Sequence, residues 1–298
     1  MWSTCGRTPG TLPAGTRRAG AAISSLSPPM PRHRQRDDPN IQRTPPMKLR
    51  TSLLAALCLA APAAMAADGD WTGWYAGLHA GHGSGNSDAR VGVDGQWAIE
   101  TPALRDEVAD TWSTDLDPSG AAYGLQFGYQ HQFAGGFVLG AEIDWSKLDL
   151  DDSRSTGMQP TVAFPALAYD FGNAIELDDK LALKGRFGYA SGRHLFFASV
   201  GWVQVDATAL AAVESNGGYL KLGRHSETLE GTEWGVGYEF DFGNQWSLRG
   251  EYLVTDLDTM RYDTAYLPGS TFTSPAYLET VRQDADFDTF RIALNYRF

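Results

Sequence analysis

Charged residues recur two positions apart in several segments that otherwise alternate with apolar residues. Residues two apart lie on one face of a β-strand, so Lys184 and Arg186 point the same way, as do Arg249 and Glu251. Charges of both signs on one enclosed face should pair, because an unpaired buried charge costs several kcal/mol. This predicts either a structural ion-pair network or a narrow polar path whose charges select solutes. The candidates are Glu142, Asp144, Lys184, Arg186, Glu233, Glu239, Arg249, Glu251 and Arg291.

The histidines give a weaker indication of chemistry. None of them lies in a His-x-x-x-His or Gly-x-Ser-x-Gly context, the patterns of zinc hydrolases and serine hydrolases. His79 lies in a segment of alternating apolar and polar residues, 74–82, and is predicted to face inward, which leaves a hydrolytic site as a distant alternative. We predict no enzyme, with no catalytic residues and no cofactor or cofactor-binding residues.

Acidic residues also cluster in segments that do not alternate. Calcium needs several converging oxygens, and a tight site usually adds a glycine turn and a distal glutamate. That spacing is absent, so we predict a solvated acidic rim and no metal site. Weak divalent binding shared with lipopolysaccharide phosphates is the alternative. The residues concerned are Asp115 and Asp117, Asp149, Asp151 and Asp152, and Asp256 and Asp258.

The charge of the chain is divided unevenly along its length. The 298 residues include 24 Lys and Arg and 36 Asp and Glu, yet residues 1–66 hold nine of the basic residues and only two of the acidic ones. Residues 67–298 therefore carry a formal charge of −19, which argues against nucleic acid as a partner. Both cysteines, Cys5 and Cys58, precede residue 67, which excludes disulfides and thiolate metal sites from the rest.

Residues 47–66 have the parts of a secretory signal peptide. A short basic start at 47–50 precedes the apolar run 51–61, and the segment ends in Ala-Met-Ala, which predicts cleavage between Ala66 and Ala67. The apolar run is shorter than the roughly 20 residues that a membrane-spanning helix needs. Residues 1–46 are rich in Pro, Arg, Ser and Gly, and we expect them to be disordered or, if translation starts at Met47, not made.

The remainder alternates between apolar and polar residues with the two-residue period of strands. The clearest example is the last one, where Phe290, Ile292 and Leu294 share one face and Arg291, Ala293 and Asn295 share the other. Two weaker segments bring the number of predicted strands to eight. The segments are 123–130, 137–146, 181–189, 233–240, 246–254 and 289–298, with 74–82 and 195–205 as the weaker two.

The connections between these segments are short and long in turn. Short gaps at 131–136, 190–194 and 241–244 alternate with long gaps at 83–119, 147–178, 206–227 and 257–284. Short turns on one rim and long loops on the other are typical of outer-membrane barrels. Residues 67–298 are thus predicted to form one all-β domain, an eight-stranded antiparallel up-and-down transmembrane β-barrel with short periplasmic turns and long extracellular loops. A soluble sandwich or lipocalin-like barrel is the alternative.

Four motifs carry a resemblance to the Omp25/Omp31-type outer-membrane proteins, an OmpA-like group of porin-like barrels. They are DWTGWYAG at 70–77, KGRFGY at 184–189, WSLRGEY at 246–252 and RIALNYRF at 291–298. The resemblance implies an integral protein of the Gram-negative outer membrane that contacts lipid and lipopolysaccharide. It also implies that Tyr296 and Phe298 form the C-terminal signal read by the outer-membrane assembly machinery.

Two function classes remain open at this stage. One is a structural protein and surface antigen whose acidic loops face the exterior and meet host or surface ligands. The other is a small porin that passes small solutes through a charged lumen. The strand number favours the first, because open aqueous channels belong to barrels of about 16 strands or more. A lipid-modifying enzyme is a distant third.

Overall fold

A computed structural model describes residues 69–298. Residues 1–46, predicted to be disordered or not made, the predicted signal peptide 47–66 and the predicted cleavage site between Ala66 and Ala67 lie outside the described residues. The described part is mostly strand, with a 3-10 helix at Gln96–Ile99 and helix α1 at Pro102–Trp112. The strands are β1 Gly73–Gly95, β2 Thr114–Leu116, β3 Ser119–Gln132, β4 Phe137–Ser155, β5 Gln159–Pro160, β6 Ala168–Ser191, β7 His194–Ser215, β8 Leu220–Gly243, β9 Trp246–Leu257, β10 Met260–Asp263, β11 Ala265–Tyr266, β12 Tyr277–Gln283 and β13 Asp286–Arg297.

Eight of these strands close into a ring in the order β1, β3, β4, β6, β7, β8, β9 and β13. Strand β13 pairs back with β1, and every neighbouring pair in the ring is antiparallel. Closure gives each ring strand a partner on both sides, which is what a sheet needs in order to cross lipid. The predicted eight-stranded antiparallel barrel is confirmed.

Three short turns lie at one end of the ring, where β1 begins and β13 ends. They occupy residues 133–136, 192–193 and 244–245, close to the predicted positions. Asn244 and Gln245 both have positive φ, 54° and 70°, as a two-residue type I′ hairpin turn requires. We call this end of the barrel the turn end.

The connections at the opposite end contain more strand than the sequence predicts. Segment 206–227 is not a long loop, because β7 continues to Ser215 and β8 starts at Leu220, with a four-residue turn between them. The other three connections hold helix α1 and the short strands β2, β5, β10, β11 and β12. Among residues 69–298, no helix is long and apolar enough to span a bilayer.

The ring strands pass through two regions that differ in polarity. In the belt region, apolar side chains such as Leu78, Leu183 and Val236 point outward and are more than half exposed. In the distal region the outward side chains are polar and bond to one another, as Thr208 does with Ser226. The belt region comprises residues 73–83, 121–132, 137–147, 180–191, 194–204, 231–243, 246–255 and 287–297. The distal region comprises residues 84–120, 148–179, 205–230 and 256–286.

Helix α1 lies in the distal region and turns an apolar stripe toward its core. Pro102 occupies the first turn, and the side chain of Thr101 caps the helix by accepting a hydrogen bond from the Leu104 amide. Leu104, Val108 and Trp112 recur every four residues and are buried. The helix thus fills the distal interior of the barrel.

Candidate functional site: the charged interior of the belt region

All nine charged residues singled out in the sequence point into the belt region, and none of their side chains is more than 3% exposed. Several stand directly opposite a residue of opposite charge on the neighbouring strand. Glu142 faces Lys184 on the next strand, and Glu251 faces Arg291. The register of the ring therefore brings these charges together.

Glu142 lies at the centre of the cluster. Its Oε2 is 2.6 Å from Nη1 of Arg249, and its Oε1 is 3.1 Å from Nζ of Lys184 and 3.6 Å from Nη2 of Arg291. Strands β4 and β9, which carry Glu142 and Arg249, are four places apart in the ring of eight. This ion pair therefore crosses the full width of the barrel.

Arg291 and Arg249 each link two carboxylates. Arg291 donates from Nε and Nη2 to Glu251 Oε2, at 2.9 and 2.7 Å, and from Nη1 to Asp144. Arg249 donates from Nε to Glu239 Oε2 at 3.0 Å as well as to Glu142. Guanidinium groups suit this role because their planar fork of donors serves several acceptors at once.

Neutral polar groups complete the hydrogen bonds of Glu239. Its Oε1 accepts from Ser247 Oγ at 2.6 Å and from Asn295 Nδ2 at 2.9 Å. The guanidinium of Arg186 lies 3.2 Å from Glu239 Oε2 and 4.0 Å from the centre of the Phe197 ring. Arg186 is thus held by both charge and a cation–π contact.

Lys180 belongs to the cluster although the sequence prediction omitted it. Its ammonium pairs with Glu233 and is buried. Lys180 lies one residue before the predicted start of strand 181–189, and continuing that alternation backward would have placed it on the inner face. With Lys180 the cluster contains five cations and five carboxylates, and so has no net charge: Lys180, Lys184, Arg186, Arg249 and Arg291 against Glu142, Asp144, Glu233, Glu239 and Glu251.

Two residues of the first strand also join the cluster. Tyr75 donates from its hydroxyl to Glu142 Oε2 at 2.8 Å and accepts from Arg186 at 2.7 Å. A Cβ at Gly128 would lie 2.5 Å from this hydroxyl, so glycine on β3 makes room for the Tyr75 ring. His79 points inward as predicted, with Nε2 3.3 Å from Asp144 Oδ2.

A layer of apolar contacts lies between the cluster and the turn end. Trp71 is fully buried there with Val138, Ala190, Leu195 and Phe197. Its Nε1 donates to the carbonyl of Gly192 at 3.1 Å, and its ring lies 4.8 Å from the guanidinium carbon of Arg297. Arg297 also pairs with Asp241 in the interior.

The distal interior is filled by the largest apolar core of the described residues. It contains Trp97, the buried stripe of α1 and inward residues of the ring strands. Trp112 stacks on Phe171 of β6 at 5.3 Å between ring centres, and its carbonyl accepts from Asn173 Nδ2 at 2.7 Å. The charged cluster thus has apolar side chains packed on both sides along the barrel axis.

Three of the acidic residues predicted to form an acidic rim lie beside exposed arginines. Asp115 accepts from Arg90 at 2.9 Å, and this contact lowers the pKa of the Asp115 carboxyl. Asp117 and Asp152 both lie beside Arg154. Within residues 69–298, no cluster of His, Cys, Asp and Glu has the arrangement of a metal site.

The C-terminal residues lie at the turn end. The Tyr296 ring packs against Trp246 at 5.1 Å, and the Phe298 amide donates to the Trp74 carbonyl at 2.9 Å. These contacts extend the β13 pairing to the end of the chain. An assembly signal at Tyr296 and Phe298 remains a prediction.

Comparison with known proteins identifies the family. Residues 51–298 match the model of the outer membrane protein beta-barrel domain. The chain is 25% identical to the 31 kDa outer-membrane immunogenic protein of Brucella melitensis, over 76% of this chain and 84% of that protein. Among solved structures it resembles OprG of Pseudomonas aeruginosa (10% identity, 78% and 98% coverage, TM-score 0.41) and the outer membrane protease OmpT of Escherichia coli (8%, 76% and 97%, 0.44). The chain therefore belongs to the outer-membrane β-barrel protein family and resides in the Gram-negative outer membrane.

Proposed function

We propose that this protein is a closed barrel that acts as a structural and surface-antigen component of the outer membrane. Its belt region anchors it in lipid, and its distal region presents an acidic surface outside the cell. The observation that carries the proposal is the buried Glu142–Arg249 pair, which crosses the full width of the barrel.

Three layers in series support a closed interior. The Trp71 layer packs apolar side chains around the buried Arg297–Asp241 pair, the cluster next to it has equal numbers of positive and negative groups, and the distal core around Trp112 is again mainly apolar. An ion would have to leave water to enter either apolar layer, at a high cost in free energy. It would also have to separate buried ion pairs in the middle layer. An eight-stranded barrel is narrow enough for its side chains to fill it in this way.

The distribution of charge supports a surface role for the distal region. This region holds 25 of the 34 acidic residues that follow residue 66, against seven of the 15 basic ones. Its formal charge of −18 therefore accounts for nearly all of the −19 of residues 67–298. A strongly acidic exterior repels other anionic surfaces unless divalent cations bridge them. Weak bridging of this kind to lipopolysaccharide phosphates belongs to the proposal.

A role without catalysis is consistent with the surroundings of His79. His79 and Asp144 form the one histidine–carboxylate pair described in the belt interior, and both are buried beneath neighbouring side chains. A hydrolytic site needs a path for its substrate as well as an acid–base pair. We therefore assign this pair to the ion-pair network.

Single-channel recording in planar bilayers tests the closed state. We expect folded protein, identified by its heat-shifted gel mobility, to give no steady openings, while a 16-stranded porin gives them under the same conditions. The double variant Glu142→Ala/Arg249→Ala removes the crossing pair and should admit brief, small currents. Steady openings of the unmodified protein that change when Arg249 or Glu251 is neutralised would contradict the proposal. They would make the protein a small porin with the nine charged residues as its filter.

Cysteine labelling tests the surface position of the distal region. Residues 69–298 contain no cysteine, so single substitutions report cleanly against the parent chain. Val162 is 88% exposed in the distal region, and Ala134 is exposed in a turn at the other end. In intact cells an impermeant maleimide should label Val162→Cys but not Ala134→Cys, and both should react after lysis. The opposite pattern would invert the proposed orientation.

A further inference from the structure

A small cavity with aromatic walls lies at the outer end of the distal region. Its volume is about 140 Å³, below the several hundred Å³ usual for sites that hold a whole drug-sized molecule. It is therefore sized for a single chemical group. Its aromatic lining residues are Trp97, Tyr169, Tyr219, Phe272 and Tyr277.

Three of these rings form what we call the aromatic cage: Trp97, Tyr219 and Tyr277. The ring centres of Trp97 and Tyr277 are 4.9 Å apart at an interplanar angle of 80°. Tyr219 lies 5.8 Å from Tyr277 at 74°, and 6.4 Å from Trp97 at 85°. The rings are thus nearly perpendicular to one another and pack edge to face. Because the face of an aromatic ring is its negative side, any ring face turned to the cavity attracts a cation.

Glu100 supplies the charge of the cavity. It is the one residue with a formal charge among those that line it, and its Oε1 accepts from the Tyr277 hydroxyl at 2.7 Å. Burial and this carboxylate raise the pKa of the Tyr277 hydroxyl to about 12. The hydroxyl therefore stays protonated at neutral pH and keeps the carboxylate in place.

A second carboxylate, which does not line the cavity, binds the polar atoms of two cage residues. Glu279 is buried and accepts from Trp97 Nε1 at 2.7 Å and from the Tyr219 hydroxyl. The Lys221 ammonium pairs with Glu279, so the charge of Glu279 is already compensated. Lys221 also lies 4.5 Å from the centre of the neighbouring Tyr266 ring. An ammonium group of the chain itself thus already lies over the face of an aromatic ring next to the cage.

We propose that the aromatic cage and Glu100 bind a quaternary or fully methylated ammonium group, such as that of choline. This group is positively charged but cannot donate N–H hydrogen bonds, so it suits ring faces and one carboxylate better than a site rich in acceptors. Phe272 is 63% exposed and lines the same cavity, which leaves the mouth open to the extracellular side. This binding activity goes beyond the structural role and does not depend on a closed lumen.

Calorimetry with a charged ligand and its neutral isostere tests the proposal. Folded full-length protein in a maltoside detergent, free of choline headgroups, is titrated with choline and with 3,3-dimethylbutan-1-ol, which has the same shape without the charge. We expect saturable binding of choline that is at least about tenfold tighter than binding of the alcohol. Equal binding of the two, or no saturable heat with choline, would overturn the proposal.

Variants locate the binding to this cavity. Glu100→Gln keeps the shape of the side chain but removes its charge and should weaken choline binding at least about fivefold. The control Asp110→Asn changes an exposed acid on α1 and should leave binding unchanged. Trp97 is buried, so Trp97→Leu could disturb folding, whereas the exposed Phe272→Ala should fold and still weaken binding. Full affinity in both Glu100→Gln and Phe272→Ala contradicts the proposed site.

Vesicle capture distinguishes two sources of a quaternary ammonium group, a lipid headgroup and a free solute. The protein is placed in liposomes of phosphatidylethanolamine and phosphatidylglycerol, then mixed with vesicles of phosphatidylcholine or of phosphatidylglycerol. Capture of the phosphatidylcholine vesicles alone, lost in Glu100→Gln, supports a membrane headgroup as the ligand. Choline binding without capture supports a free solute. Channel recordings report on the closed barrel separately, so either proposal can fail without the other.

Discussion

The belt region and the distal region are formed by the same strands in opposite surroundings, lipid for the first and water for the second. In the belt region lipid surrounds the barrel, so apolar residues point outward and charged residues fill the interior. In the distal region water surrounds the barrel, so polar residues point outward and apolar residues fill the interior. Strand β7 passes through both: Val200 and Trp202 are exposed, whereas Val203 and Val205 are buried. The strand keeps its geometry, while the apolar residues move from one face to the other.

The two interiors differ in how they respond to damage. In a charged interior every buried charge needs its partner, because no water is there to replace a partner that is lost. An apolar interior loses contact area by degrees, and its neighbours can move to fill part of a void. We therefore expect a single change to affect the belt region as a whole and the distal region more locally.

The largest effect is expected from Glu142→Ala in the belt region. The change removes the nearest carboxylate of both Lys184 and Arg249 and leaves one buried positive charge in excess, which should cost about 3–5 kcal/mol of unfolding free energy. Urea unfolding in lipid vesicles, followed by heat-shifted gel mobility, measures this. The matched control is Glu230→Ala, on an exposed position in the distal region, which should cost less than about 0.5 kcal/mol. Equal costs for the two would remove the distinction between interior and surface charges.

A smaller and more local effect is expected from Trp112→Ala in the distal region. Trp112 is fully buried on Phe171, and its loss should cost about 3 kcal/mol in this region. The belt region does not contain these contacts and should keep its heat-shifted mobility. Limited proteolysis should then cleave within 96–118 while the barrel stays folded. Loss of the heat shift as well would mean that the two regions unfold together.

The outward faces provide a third test on a single strand. Val200→Arg places a charge in the lipid-facing surface of β7 and should cost about 2–4 kcal/mol. Thr208→Arg makes the corresponding change eight residues further along, where the outer face meets water, and should cost less than about 1 kcal/mol. The comparison is made by urea unfolding in the same vesicles. Similar costs would place the edge of the membrane beyond Thr208.

The change of face also explains why the sequence predicted a loop at 206–227. Between Ala198 and Trp202 the outward, even-numbered residues of β7 are the apolar ones, whereas from Val203, at the edge of the distal region, an inward, odd-numbered apolar series begins. An alternation that shifts phase resembles the end of a strand, although the backbone continues. A water-exposed extension of a membrane barrel produces this shift without any break in the chain.

Local alternation predicts which residues of the belt region point inward, but it does not predict which of them contact one another. Which strand faces which across the lumen depends on ring closure, so the contact between Glu142 and Arg249 could not be derived from spacing. Lys180 is in phase with Lys184 and Arg186, so the same alternation reaches it, but the register shift between Leu177 and Lys180 puts Leu177 on the inner face as well and ends that alternation at Lys180. Helix α1 did leave a local signal in the sequence. Its buried apolar residues are spaced four apart, and Thr101 and Pro102 are typical of a helix N-terminus. That signal spans only 11 residues within a long connection.

The smallest effect concerns acid residues crowded on the outer face of the distal region. Partial burial, followed by the nearby carboxylates of Asp178 and Asp151, raises the pKa of Glu176 above its ordinary value of 4.5. A raised pKa means that the folded state holds the proton more tightly than the unfolded state does. The ionised side chain therefore lowers stability at neutral pH, and the penalty disappears as the pH falls through the raised pKa to below 4.5.

Glu176→Gln should accordingly stabilise the distal region at pH 7, by less than about 1 kcal/mol because solvent screens the site. Hydrogen exchange of the distal amides measures the gain, which should vanish below the ordinary pKa of glutamate. Asp106→Asn, at an exposed position of α1, provides a control on a separate element of the distal region. A gain that is the same at pH 4 and pH 7 would assign the effect to packing of the amide rather than to crowded charge. The carboxylates of Asp178 and Asp151 would then impose no measurable penalty on Glu176.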